Sequence, residues 1–366
     1  MLGAHVNTAL AGLDQVLVTW KPPLVVILDH SDVWWRVKTE SPGTLMVGRL
    51  VLPEEPDFND ASLDPSKAAQ RHCDAILPVA DRMGKTYDFW QGVNEPVVQS
   101  AEATRRLAGF EAERARIMSS HGFRVVVGSF GVGNPPQLAW WKHFLPALEA
   151  AKQYGGALAL HEYAWPRLDH ESSWYLLRHR KVYKGEPAHN WDGLPSHLAG
   201  TPLLITECGL DGLIAQPRPQ GWMSVYGRDP GRYLQELAWY DGELQKDSYV
   251  VGAALYCCCS ADDPRWATYN IWPELAQALA RDSRPLYRPA RFPEPAPAKK
   301  PPSGAKPAAP VQPEPDEQPP ALPLPVPVVP PPGPPDALLD DRLDEVVQRL
   351  DRILALLRAR GRKGSA

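Results

Sequence analysis

A chain of 366 residues is long enough for two or three domains, but its 41 prolines crowd largely into the last quarter, so only about residues 1–287 have the composition of a folded unit. A formal net charge of −4 excludes the basic footprint that nucleic acid or an anionic membrane surface requires, and a neutral partner is the simplest expectation. The five cysteines, Cys73, Cys208 and the run Cys257, Cys258, Cys259, are odd in number, and neighbours in a strand face opposite sides; a disulfide framework is excluded and reduced thiols are expected.

The opening MLGAHVNTAL has no basic region, apolar region or cleavage site, and no later stretch approaches 18 uninterrupted apolar residues. No membrane span is expected, and the expected location is cytoplasmic, with release by lysis or an atypical route left open. Eight short apolar runs then recur in chain order: 3–7, 24–29, 44–50, 87–93, 124–130, 157–163, 202–207 and 250–256. Their near-continuous apolar character is what strands buried on both faces require. Amphipathic segments separate them. The clearest is 100–121, where Leu107, Phe110, Ala115, Ile117 and Met118 form an apolar stripe and the Glu/Arg-rich remainder is expected to face solvent. Eight strands alternating with helices in about 287 residues predict an α/β fold, a closed (β/α)8 TIM barrel. No run carries a dinucleotide or P-loop fingerprint, and the glycine-rich GSFGVGNP at 128–135 lacks the spacing and lysine of a phosphate cradle, so it reads as a turn.

Past the barrel, 288–335 is dominated by Pro, Ala, Lys, Gln and Val and predicts a disordered, extended spacer. Residues 336–366 predict a short amphipathic helix with a basic tail. Leu339, Leu343, Val346, Leu350, Ile353 and Leu357 make a heptad seam, with acidic residues at its start and basic ones at its end. So short a helix is marginal alone, which predicts a homo-oligomer, trimer or tetramer, through residues 339–357; docking back onto its own barrel is the alternative.

Candidate chemistry sits at two strand ends. The fourth run leads into Asn94, Glu95 and Pro96, and the seventh ends in Glu207. In a (β/α)8 barrel the strand C-termini open onto one face, so the two acids are expected to meet across one mouth. A carboxylate ending an apolar strand is costly unless used or paired. One protonated and one ionised carboxyl are what glycosidic cleavage needs, the first to assist the leaving oxygen and the second to attack the anomeric carbon.

NEP after the fourth run, HEY ending the sixth and a glutamate ending the seventh resemble the clan A retaining glycoside hydrolases, over about residues 1–287. The resemblance implies cleavage of β-glycosidic bonds with Glu95 as acid/base, Glu207 as nucleophile and Asn94 holding a sugar hydroxyl. It implies that His161 and Tyr163, two apart and so on one side of a strand, face the mouth, with Tyr163 bonding Glu207, His161 touching substrate and Glu162 pointing away. Trp165 and Trp266 are the better candidates for sugar-stacking walls, ahead of Trp34 and Trp35, and Asp29 and His5 are candidate hydroxyl partners. The chain departs from the clan where an arginine should accompany the nucleophile: the nearest, Arg36 and Arg49, receive no role from sequence. It departs again where the eighth run ends in Tyr256 and cysteines. No cofactor is expected, and no metal, because no HxH or clustered His/Asp spacing occurs on any run. The alternative is a non-catalytic carbohydrate-binding or structural barrel displayed on an oligomeric stalk.

Overall fold

The computed structural model describes residues 1–281, apart from 170–173, 216–217 and 261–262. The predicted spacer and heptad helix lie outside the described residues. In chain order the elements are β1 (Leu2–Val6), α1 (Leu13–Trp20), β2 (Leu24–Ile27), α2 (Val33–Glu40), β3 (Leu45–Gly48), α3 (Pro65–Met83), β4 (Phe89–Gln91), α4 (Ala101–Ser120), β5 (Val125–Phe130), α5 (Trp141–Gln153), β6 (Ala157–Ala164), α6 (His179–Lys184), β7 (Leu203–Leu210), α7 (Trp222–Tyr226), α8 (Pro230–Leu244), β8 (Val250–Cys258) and α9 (Glu274–Arg281). The eight strands pair in sequence order, all parallel, and β8 closes on β1. The barrel is therefore as the sequence patterning predicts, with each strand on its apolar run.

Alternation explains why both strand faces are apolar. Along β2, Leu24 and Val26 enter an interior cluster with Leu45, Val47, Phe89 and Val126. Val25 and Ile27 enter the outer layer, with Trp34, Leu107 and Phe144 of the surrounding helices. Helix starts follow local capping chemistry. Asp64 accepts from the N–H groups of Ser66 and Lys67, Ser100 from that of Ala103 and Asp229 from that of Gly231; Pro65 and Pro230 stand where no donor is needed.

One expectation for α4 is corrected. The apolar stripe is buried as predicted, but so are Glu111 and Arg114, which were assigned to the solvated face. Arg114 Nε donates to Glu111 at 2.7 Å and Nη1 to the Trp90 carbonyl at 3.3 Å, while Glu111 accepts the Gly128 N–H at 3.1 Å. The pair satisfies strand groups beneath the β4 and β5 ends, which offsets the cost of burying its charges. All five cysteines are free and buried. Among the described residues no helix is long and apolar enough to cross a membrane.

Candidate active site

Glu95 lies four residues beyond β4 with its backbone in the left-handed region, φ 48°. For a residue with a side chain that conformation costs of order 1–3 kcal/mol and persists only where the surroundings impose it. Here they do. The Glu95 N–H donates to the Ser129 carbonyl at 3.0 Å, and the Asn134 side chain donates to the Pro96 carbonyl. Gly131 completes the cradle: a Cβ there would stand 2.9 Å from Glu95 Oε1.

Glu207 is aimed by a bulge. Ile205 pairs with Leu160 and Ala253, but Glu207 pairs with His161 and Cys208 with Leu255, so β7 carries one residue more than either neighbour at Thr206 and Glu207. The extra residue breaks the alternation and turns Glu207 towards the barrel axis. The strand runs on to Leu210 rather than ending at Glu207 as the sequence suggests.

The two glutamates meet as predicted. One carboxylate oxygen of each, with a His161 ring nitrogen, falls within a 4.8 Å cluster. His161 Nδ1 is 2.9 Å from Glu95 Oε1 and 3.5 Å from Glu207 Oε2. Tyr163 donates its hydroxyl to Glu207 Oε2 at 2.9 Å, and Arg49 Nη1 donates to Glu207 Oε1 at 3.3 Å. His5 Nε2 lies 3.6 Å from that same oxygen. The Glu207 side chain is 8 % exposed and that of Glu95 46 %, so one acid is sealed in and the other is open to solvent.

Burial pushes the Glu207 carboxyl above its ordinary value, helped by the charge of Glu95 and opposed by His161, Arg49 and Tyr163. Burial acts the same way on Glu95 but is outweighed by the hydrogen bond and charge of His161 and by Arg49, which hold that carboxyl low. Burial disfavours charge on His161; the charge of Glu207 and the hydrogen bond to Glu95 overcome it and raise the imidazole. His5 is held neutral, first by burial and then by Arg49.

The remaining candidates divide. Asn94 stands beside Glu95 and accepts from Gln91 Nε2 at 2.9 Å. His161 faces both carboxylates, and Glu162 points away, as expected. Asp29 is occupied by backbone, accepting from the N–H groups of Ala9 at 2.9 Å and Ser31 at 3.0 Å, so it braces two loops. Trp165 is half-buried against the outer core, and Trp34 is fully buried with its indole donating to the Asp29 carbonyl, which leaves it no stacking face. Trp266 packs on Tyr256 and Tyr269 with centroids 5.3 and 5.7 Å apart. Tyr256 itself packs against His5 at 5.0 Å, so the strand-eight aromatic nearest the acids is this tyrosine. Arg49 is the side chain at Glu207 that the sequence leaves without a role. Its signal was a cation directly after the apolar run LMVG.

Glu95, His161 and Glu207 offer three ligand atoms close enough for a metal ion. His161 Nδ1 is already bonded to Glu95, and Glu207 to Tyr163 and Arg49, whose guanidinium repels a further cation. Both carboxylates face the same imidazole nitrogen, Nδ1.

No protein-family model matches the chain, and neither does any curated protein sequence. Among solved structures it is similar to a family GH128 (subgroup I) endo-β-1,3-glucanase of Amycolatopsis mediterranei, at 12 % identity over 77 % of this chain and 99 % of that one, TM-score 0.45. It is similar to a β-D-glucuronidase of Dictyoglomus thermophilum at 12 % identity, over 78 % of this chain and 51 % of that one, TM-score 0.45. It is also similar to a family GH2 β-galacturonidase of Eisenbergiella tayi at 15 % identity, over 77 % of this chain and 48 % of that one, TM-score 0.46. The likeness is one of fold.

Proposed function

We propose that the barrel is a retaining glycoside hydrolase acting on β-linked glycans, with Glu207 as nucleophile and Glu95 as acid/base. The observation that carries the reading is the two carboxylates facing one another within a 4.8 Å cluster, bridged by His161. That separation favours the retaining spacing of about 5–5.5 Å over the inverting spacing of about 6.5–9.5 Å.

The reading needs one protonated and one ionised carboxyl. A proton on His161 Nδ1 passes 2.9 Å to Glu95, which becomes the carboxylic acid that protonates the leaving oxygen as the glycosidic bond breaks. Glu207, whose ionised form His161, Arg49 and Tyr163 favour against its burial, attacks the anomeric carbon and forms a glycosyl ester. Glu95, now a carboxylate, takes a proton from water, whose oxygen releases the sugar with its configuration kept. In this reading Asn94 holds a sugar hydroxyl, and Tyr256 with Trp266 lines the sugar's apolar face. The heptad segment, 339–357, would gather such barrels into a homo-oligomer.

The test is hydrolysis of a panel of aryl β-glycosides and polymeric β-glucans by the full chain, with the first product's anomeric configuration read by proton NMR. Retention with turnover supports the reading. Inversion sinks the two-step mechanism, and glycan binding without turnover by the intact protein points to a recognition barrel instead.

A further inference from the structure

Arg49 donates to Glu207 at 3.3 Å. Its charge also opposes the rise that burial gives the carboxyl of Glu55, in the β3–α3 connection. A long flexible side chain needs its main chain held if it is to keep one acceptor.

A brace at the end of β3 does this. His30, just after β2, places Nε2 3.1 Å from the Arg49 carbonyl and Nδ1 3.0 Å from the Tyr87 hydroxyl. A carbonyl only accepts, so Nε2 carries the proton; Nδ1 is then the lone-pair nitrogen and Tyr87 the donor. The order Tyr87 to His30 to Arg49 is thus determined by chemistry. Burial holds His30 below its ordinary value, with Arg82 acting the same way and the Arg49 carbonyl and Asp29 opposing, so this tautomer persists at neutral pH. Arg82 also donates to the His30 carbonyl at 2.9 Å, and the His30 ring rests against Tyr87 and Trp90, each 5.6 Å between centroids. Gly48 makes room: a Cβ there would lie 2.5 Å from the Tyr87 ring.

We propose that His30, oriented by Tyr87, is a positioning residue that fixes the main chain at Arg49 so that its guanidinium bears on Glu207. The functional meaning rests on the glycosidase reading; the structural claim can be tested without it. The decisive measurement is a carbon-13 NMR titration of the Glu207 carboxyl in the full chain, paired with pH profiles of kcat/KM. Arg49 lowers the Glu207 pKa, so loosening it raises that pKa and moves the acid limb of kcat/KM upward.

H30A is expected to raise the Glu207 pKa and to lower kcat/KM about tenfold to a hundredfold. H30Q, which keeps a donor for the Arg49 carbonyl, restores both. Y87F moves them the same way by less, and carries the test should H30A fold poorly. On an R49M background H30A adds nothing further. An unmoved Glu207 titration in both H30A and Y87F, or a full additional loss on R49M, overturns the proposal. Should the wild type turn over no glycoside, the glycosidase reading fails while the titration still decides the brace.

Discussion

The barrel contains two Glu–His–carboxylate trios, and they do opposite things. At the mouth His161 joins Glu95 and Glu207; behind the same strand His179 joins Glu162 at 2.7 Å and Asp247 at 3.3 Å. In the rear trio every acid is supplied with donors. Glu162 accepts from the Leu177 and His179 N–H groups, the His179 ring and the Tyr240 hydroxyl, and Asp247 accepts from Arg180 and Lys184. Burial resists ionisation of Glu162 and Asp247, but these partners hold both carboxyls low. At the mouth Glu207 is just as deep, and burial wins. Each trio is two carboxylates around one imidazole. What separates the two is how many donors reach each carboxylate.

The largest expected effect separates the trios by activity. Glu207→Ala should cost roughly 10⁴-fold or more in kcat, and Glu95→Gln about 10²–10⁴-fold. Glycoside turnover at wild-type rate in either variant would dissolve the assignment. Stability should separate them in the other direction. Glu162→Gln breaks a sealed pair and is expected to cost about 3–5 kcal/mol at neutral pH, read from chemical denaturation.

The signs follow from linkage. Glu162 has a lowered folded pKa, so its contribution is present above the unfolded value and is lost as pH falls through the folded one. Glu207 has a raised folded pKa, so its ionised form costs stability; Glu207→Gln should hold or raise Tm at neutral pH and lose that advantage in acid. Equal destabilisation by both substitutions would mean the comparison is mistaken.

A smaller effect tests the cradle. Gly131→Ala puts a methyl against Glu95 and should cost about tenfold to a hundredfold in kcat/KM, with little change in Tm because the loop is at the surface of the mouth. Last, the pH profile of kcat/KM should be a bell. Its acid limb lies above the ordinary carboxyl value of 4.5, because Glu207 must ionise, and its basic limb above the ordinary imidazole value of 6.5, because the His161–Glu95 proton must be kept. An acid limb below 4.5 would show that burial does not dominate at Glu207.

Several features were legible from local pattern alone. The two-sided apolar runs predicted eight barrel strands, and period two placed His161 and Tyr163 on the side opposite Glu162. What sequence could not yield depends on partners distant in the chain. Glu111 and Arg114 read as a solvated face because nothing local announces the carbonyls that receive them. Asp29 looked free for a sugar until two backbone N–H groups claimed it. Arg49 had no role until barrel closure brought β3 within reach of β7, 158 positions away.

By itself, then, the order of residues determined the periodicity, the strand count and the two acids near the mouth, since each is a property of a few neighbouring side chains. Only the tertiary structure decided which acid is sealed and which open, which arginine reaches Glu207, and that a bulge at Thr206 turns Glu207 inward. Those depend on register, burial and through-space charge, and such quantities exist only once the barrel has closed.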